Sequence, residues 1–265
     1  MTSPEKFSII VPSYNQAAYI RQTLDSILTQ KTEVPVEVLV IDGGSTDGTP
    51  GILHSYGNRI TWISEPDQGQ SDAINKGIAR ASGTMVGWLN SDDLYLPGTL
   101  QIVTDHFKRH PACRWLFGRC LIIDENGREI RRIITLYKNL LSVAPGFRFL
   151  AVENFISQPA VFFRKELLDI AGPVDTTLRY TMDYDLWLRL GRIAPPCRIP
   201  ANLSAFRVHG QSKGALAFTE QFKEEYFVHQ RYDRNRFRLL LHRLNILKIT
   251  SGYRLMEWFR TLKKE

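Results

Sequence analysis

Residues 7–100 alternate short apolar runs with stretches of helical spacing, and no other feature of the chain narrows its fold as far. Phe7–Val11 reads as a strand closed by Pro12, after which Tyr19, Ile20, Leu24, Ile27 and Leu28 fall on one helical face. Val36–Ile41 reads as a second strand. The turn DGGSTDGTP then opens a helix, with Ser45, Thr46 and Asp47 as candidate caps. Ile60–Ser64 is a third strand, Asp72–Ala81 a helix and Met85–Leu89 a fourth strand. Strands that alternate with helices predict an α/β fold, its mostly parallel sheet covered by helices on both faces. Ligands of such sheets bind in the crevice outside the carboxyl ends of the strands. Asp42 and Asp92 both fall there.

The second half is less regular. Strand-like runs at 114–123, 159–163 and 197–208 mix with helices near 164–171 and 183–193. No Pro/Gly/Ser-rich linker separates the halves, so they are expected to form one continuous body.

The chain carries neither G-x-G-x-x-G after its first strand nor G-x-x-x-x-G-K-[ST] anywhere, which disfavours a dinucleotide oxidoreductase and a P-loop enzyme. After the first strand comes VPSYNQ, where Tyr14 could stack on a flat base and Asn15 offers a donor and an acceptor. After the second, Asp42 could accept from a base N–H, or could simply fold an Asx turn. Asp72 and Lys76 share a helix face, as ligand contacts or as a solvated ion pair. Two adjacent carboxylates, Asp92 and Asp93, follow the fourth strand. Like charges so close repel unless a cation sits between them and a partner; the alternative is that they cap a helix starting at Pro97.

VPSYNQ, VIDGGSTDGT, EPDQGQSDAINKGI and WLNSDD, in this order and spacing, resemble the nucleotide-sugar half of a family 2 glycosyltransferase with the GT-A fold. GPVDTTLRYTMDYDLWLRL and FRVHGQSKG resemble that family's acceptor-side carboxylate segment and late histidine motif. The wording is most similar to bacterial members that build O-antigen and other surface polysaccharides. The resemblance implies a GT-A domain over 1–213, with a Rossmann-like donor half at 7–100 and an acceptor half at 101–213, followed by a helical basic tail at 214–265. It implies a donor site of Pro12, Tyr14, Asn15, Asp42, Asp72, Lys76, Ser91 and Asp92, with a UDP-sugar favoured. It implies a divalent cation, Mn²⁺ or Mg²⁺, on Asp92, Asp93 and His209; hard cations of this kind take carboxylate and phosphate oxygens. Asp183 would be the base of an inverting transfer to a glycan or lipid-linked glycan, its bland alternative being a helix cap. Asn90 and Met182 stand where the family more often has acids. Those departures keep a degenerate sugar-nucleotide binder open as an alternative, beside a nucleotidyltransferase. Asp185 is expected to pair with Arg189.

The net charge is +7, and residues 231–265 hold all of it, with ten Lys/Arg against three acids; residues 1–230 balance at 24 basic and 24 acidic. A body without excess charge argues against a nucleic-acid groove. In the tail, Leu240, Leu241 and Leu244 follow Phe237 at helical spacing, and Leu255, Trp258, Phe259 and Leu262 repeat the pattern. Basic amphipathic helices with aromatic residues suit an anionic membrane surface, or else pack on the body or another subunit. Met1–Lys6 is too short and polar for a signal peptide, and no stretch approaches the ~20 apolar residues of a membrane span. Cys113, Cys120 and Cys197 lack metal-type spacing and read as thiols of a reducing compartment. The expectation is a cytoplasmic protein, peripheral on the inner face of the membrane.

Overall fold

The computed structural model describes residues 4–143, 150–212 and 218–248. Strands β1 (Phe7–Ser13), β2 (Val36–Asp42), β3 (Thr61–Ser64) and β4 (Met85–Trp88) alternate with helices α1 (Ile20–Leu28), α2 (Thr49–Ser55) and α3 (Gln70–Arg80). The segment 94–123 adds β5 (Leu94–Tyr95), α4 (Thr99–Arg109) and β6 (Trp115–Ile123). It is followed by α5 (Arg132–Leu141), β7 (Val161–Arg164), α6 (Lys165–Ala171), α7 (Met182–Ile193) and β8 (Cys197–Arg207). Two further helices, α8 (Phe218–Tyr232) and α9 (236–248), close the described chain. Among the described residues no helix is long and apolar enough to cross a membrane.

All eight strands join one sheet in the order β3-β2-β1-β4-β7-β6-β8-β5. The first four are mutually parallel, as the alternation predicts. Beyond β4 the sheet is mixed: β7 runs antiparallel to β4 and to β6, β6 and β8 are parallel, and β5 is antiparallel to β8. The second half therefore extends the same sheet.

Every residue of β1 is buried, which requires cover on both faces. Ile10 points into one apolar layer with Ile74, Trp115, Phe163 and Trp187. Ile9 and Val11 point into the other, with Leu24, Val40, Leu100 and Phe107. Helix α3 lies so close to β1 that a Cβ at Gly77 would meet Ile10 Cγ2 at 2.4 Å. At the start of α2, of the three candidate caps it is Asp47 whose carboxylate takes the Thr49 N–H, at 2.9 Å. Helix α4 begins after Gly98 with no side-chain cap, so Asp92 and Asp93 do not cap it.

One expectation is corrected. Cys113 and Cys197, read as separate thiols, are joined as a disulfide, and Cys120 is buried and free; their sequence separation of 84 gives no local hint of the pairing. The described part of the segment after 213 packs on the body, one of the alternatives its pattern left open. Helix α8 packs on α7: Tyr232 Oη donates to Asp185 Oδ1 at 2.6 Å, and Arg231 pairs with Asp175 at 2.8 Å. Helix α9 buries His242, whose ring lies 2.7 Å from the Val152 carbonyl. The second apolar series of the tail, from Leu255, lies outside the described residues.

Candidate active site

The carboxyl ends of β1, β2 and β3 converge because parallel pairing puts Ser13 beside Asp42 and Asp42 beside Ser64. Asp42 is fully buried there. It accepts from Ser45 N at 2.9 Å, Ser45 Oγ at 2.5 Å and Ser64 Oγ at 2.6 Å, which is an Asx turn with two hydroxyl braces. The carboxylate thus builds the floor of the crevice, and its neighbours present the surface. Tyr14 is 60% exposed. Asn15 sits at φ 51°, a left-handed conformation that asparagine tolerates. Its backbone N–H donates to Ser45 Oγ and its Oδ1 accepts from Thr46 N, so it clamps the glycine turn after β2. Gly44 in that turn has φ +80°, and its missing Cβ lies 3.4 Å from Pro66 N, so the loop after β3 leans directly on it. Pro12 is buried in β1, in register with Ile41.

Asp72 and Lys76 form the expected ion pair at 3.3 Å, and Lys76 also reaches Glu65 at 3.0 Å. Asp72 accepts from Gln68 N at 3.1 Å, and that contact together with Lys76 holds its carboxyl below the usual range. Together they brace the turn after β3. Two buried hydroxyls on this rim, Ser13 Oγ and Ser71 Oγ, have no hydrogen-bond partner. Unsatisfied buried hydroxyls are costly, and on a crevice wall they are suited to a polar ligand.

After β4 the two adjacent carboxylates part company. Asp92 keeps a side chain 20% exposed, with Oδ2 3.0 Å from His209 Nε2. Gln211 N donates to His209 Nδ1, which leaves the proton on Nε2 facing Asp92. Asp93 turns inward and is fully buried; its Oδ1 accepts from Arg207 N at 2.8 Å and its Oδ2 from Asn90 Nδ2 at 3.3 Å. Burial first, and the Asp92 charge second, push its carboxyl well above the usual range. The expected triad of Asp92, Asp93 and His209 therefore does not form: among the described residues those three do not gather as a metal-holding group. Asp92 and His209 meet, and Asp93 supports them from behind. Asn90 explains its own departure from an acid, since it donates to Asp93 while its Oδ1 accepts from Trp88 Nε1 and Gln70 Nε2 at 2.9 and 2.7 Å. A second carboxylate at 90 would face Asp93 with no proton to offer. Ser91 is buried, and its carbonyl is 2.9 Å from Thr23 Oγ1 on α1.

Sequence reasoning missed Arg207, the fully buried last residue of β8. Its Nε donates to the Asp92 carbonyl at 2.8 Å, Nη1 to the Glu125 carbonyl at 3.1 Å and Nη2 to Gln22 Oε1 at 2.8 Å. Its guanidinium lies 5.0 Å from the Tyr19 ring centroid, and Tyr19 in turn packs 4.6 Å from the His209 ring. One side chain thus ties α1, the Asp92 loop and the histidine loop. An arginine inside an otherwise apolar strand run was the only available signal.

Asp183 is half-buried in the first turn of α7, its Oδ1 accepting from Tyr184 N at 2.8 Å. Burial pushes its carboxyl up to about 6, against the opposing Tyr184 N–H and the charge of Lys138 on α5. Asp185, as expected, pairs with Arg189 at 2.9 Å. Two acids of α8 complete the surroundings. Glu224 accepts the N–H groups of Arg179, Tyr180 and Thr181, so it holds the turn that launches α7. Glu225 is buried, and burial together with the Asp183 charge raises its carboxyl to about 8.

Glu225 has a consequence for stability. Between its ordinary 4.5 and about 8 the folded protein keeps a proton that the unfolded chain releases, so stability falls as pH rises through that window. Glu225→Gln removes this dependence. Thermal melts should nearly coincide at about pH 5, with the variant melting several degrees higher at about pH 8.5. Parallel melting curves at both values would show that Glu225 ionises freely in the fold.

Residues 8–169 match the family profile described as glycosyl transferase family 2. A Rickettsia felis protein described as an uncharacterized glycosyltransferase is 32% identical over 196 residues, covering 71% of this chain and 32% of that one. The chain thus spans about a third of the length of that relative. A Mycobacterium bovis PGL/p-HBAD biosynthesis glycosyltransferase is 32% identical over 193 residues, covering 69% of this chain and 68% of that protein. Among solved structures, Staphylococcus aureus TarS 1-349 in complex with UDP-GlcNAc superposes with a TM-score of 0.66 at 20% identity, covering 84% of this chain and 65% of that one. The mannosyltransferase PcManGT from Pyrobaculum calidifontis, in complex with GDP-Man and Mn²⁺, superposes with a TM-score of 0.67 at 20% identity, covering 91% and 70%. These likenesses establish the GT-A fold.

Proposed function

The chain belongs to glycosyl transferase family 2, and from that premise we propose that it moves a sugar from a nucleotide-sugar donor to a hydroxyl acceptor with inversion at the anomeric carbon. The observation that carries this reading is the meeting of Asp92 and His209 on the same rim as the crevice of Tyr14, Asn15 and Asp42. Residues 7–100 would take the donor and 101–213 the acceptor, with the base lying flat on Tyr14 beside the turn that Asp42 folds. Asp72, Lys76, Ser91 and Asp92 would line the way to the sugar. Oxygen and imidazole donors side by side fit Mn²⁺ or Mg²⁺, so Asp92 and His209, once its Nε2 proton is displaced, would hold the cation. Such a cation supplies positive charge against the departing diphosphate.

The chain's own chemistry is then a single displacement. The acceptor oxygen bonds to the anomeric carbon, the bond from that carbon to the diphosphate oxygen breaks, and Asp183 takes the acceptor proton. A carboxyl raised to about 6 is a stronger base than a free one and is still ionised near neutrality. Nucleotide sugars and Mn²⁺ named with the structural neighbours support this donor class and cation; a UDP-sugar is the favoured donor. In the same reading the acceptor is a lipid-linked glycan of surface polysaccharide assembly, and the basic tail at 231–265 would meet the membrane that carries it.

The test is a thermal-shift panel of UDP-, GDP- and dTDP-sugars with and without Mn²⁺, followed by product analysis. One nucleotide class should raise the melting temperature only with the cation. Turnover should release free nucleoside diphosphate. Release of pyrophosphate would make the protein a nucleotidyltransferase instead, and binding with no turnover on any acceptor would favour a degenerate binder.

A further inference from the structure

Helix α5 turns Ile133, Leu136 and Leu140 outward, 84%, 70% and 69% exposed. They fall at i, i+3 and i+7, so they form one stripe. Single exposed apolar residues are ordinary, but a stripe along a whole helix face is not. Helix α9 repeats the arrangement with Phe237, Leu240 and Leu244, 66%, 52% and 52% exposed, at the same spacing. The two helices touch: Lys248 Nζ donates to Tyr137 Oη at 2.8 Å and lies 4.8 Å from that ring's centroid. Two apolar stripes from distant parts of the sequence therefore lie on neighbouring helices.

Charge says what covers them. Arg132 on α5 has a side chain 79% exposed, and Arg236 and Arg243 on α9 are exposed. The segment from 231 onward carries a net charge equal to that of the whole chain. Leucine, isoleucine and phenylalanine flanked by exposed basic side chains, with no acidic residue on either helix, are the composition of helices lying in a bilayer interface. We propose that α5 and α9 together form one docking face for an anionic phospholipid bilayer. The apolar stripes enter the boundary between headgroups and acyl chains, and the basic side chains reach the phosphates.

This deepens the reading of a lipid-linked acceptor, on which it rests, by naming where that acceptor arrives. Helix α5 also carries Lys138, whose charge acts on both Asp183 and Glu225 and whose Nζ lies 3.4 Å from Ser157 Oγ. The helix that bears the exposed stripe thus also carries a charge that reaches the proposed base, the place where a hydroxyl on a lipid carrier would have to arrive.

The experiment is flotation of the full-length protein with phosphatidylglycerol-containing vesicles and with pure phosphatidylcholine vesicles. Two paired variants are compared, Ile133→Glu with Leu136→Glu on α5, and Leu240→Glu with Leu244→Glu on α9. Each pair should weaken recovery with the anionic vesicles by roughly tenfold or more, since two apolar anchors are replaced by charges of the repelled sign. Melting temperature and the donor-induced thermal shift should stay at native values, because the substituted side chains are exposed. An α5 variant that floats like the native protein overturns the joint face and leaves the tail alone as the membrane contact. A native protein that does not float overturns membrane docking altogether, while the donor shift, read on the same sample, still reports on sugar-nucleotide binding. A native dimer that either variant converts to monomer without vesicles would assign the face to a second copy of this chain and overturn the proposal.

Discussion

Asp183→Asn should abolish most sugar transfer, by about 10²–10⁴ in rate, while donor affinity stays near native. The carboxylate Oδ1 accepts the Tyr184 N–H at 2.8 Å, and an asparagine carbonyl can make the same bond. A residue that merely capped the helix would therefore tolerate the change, since Asn caps about as well as Asp. A base would not, because the amide cannot take the acceptor proton. The nucleotide sugar does not carry that proton, so its binding should not respond. The native pH profile supplies a second readout. With the carboxyl raised to about 6, the ionised form is lost as pH falls through that value, so transfer should decline below about pH 6 and be level above it. Asp185→Asn is the control: its two oxygens are held by Arg189 and Tyr232, so its loss should lower stability more than rate. If Asp183→Asn transfers sugar at close to the native rate, the base lies elsewhere.

The second large effect belongs to Asp92. Calorimetry with the preferred nucleotide sugar should find native affinity weakened by roughly ten- to a hundredfold when a chelator replaces Mn²⁺. Asp92→Ala should bind the donor equally weakly in both conditions. The adjacent acid gives the discriminating comparison. Asp93 is fully buried and accepts the Arg207 N–H, which an asparagine in its place could still do through its carbonyl. Asp93→Asn should therefore keep its response to Mn²⁺ even where it costs stability, since its amide would face the Asn90 N–H donor. Equal donor affinity with chelator and with Mn²⁺ in the native protein would remove the cation from the mechanism.

Much of the first half was legible because its signals are local. Apolar runs buried on both faces marked β1, β2 and β4, and helical spacing marked α1 and α3 within a few residues. The rim positions of Asp42 and Asp92 followed from where those strands end. The Asp185–Arg189 pair was legible for the same reason, since one helical turn separates the partners. What the two carboxylates at 92 and 93 do was not legible, because which of them turns inward depends on β8. Arg207 N reaches Asp93 across 114 positions of sequence, and its guanidinium reaches the Asp92 carbonyl across 115. No spacing rule connects such residues.

The acids of α8 make the same point. Glu224 and Glu225 lie beyond the last motif with nothing local to mark them, yet one holds the turn before α7 and the other lies buried within reach of the Asp183 charge. Helix α5 is not among the elements expected from the sequence, and periodicity over 132–141 would report an apolar face without saying what meets it.

The sequence by itself determined the alternating strands and helices, the crevice at their carboxyl ends and the residue types that stand on its rim. All of these follow from the dihedral preferences and periodic burial of neighbouring residues. Only the tertiary structure decided that Asp92 meets His209 while Asp93 meets Arg207, that Cys113 meets Cys197, and that, among the described residues, the exposed apolar stripes of α5 and α9 lie on neighbouring helices. Those outcomes depend on contacts between distant segments. Whether a side chain there is buried, paired or exposed is set by what the rest of the chain brings against it.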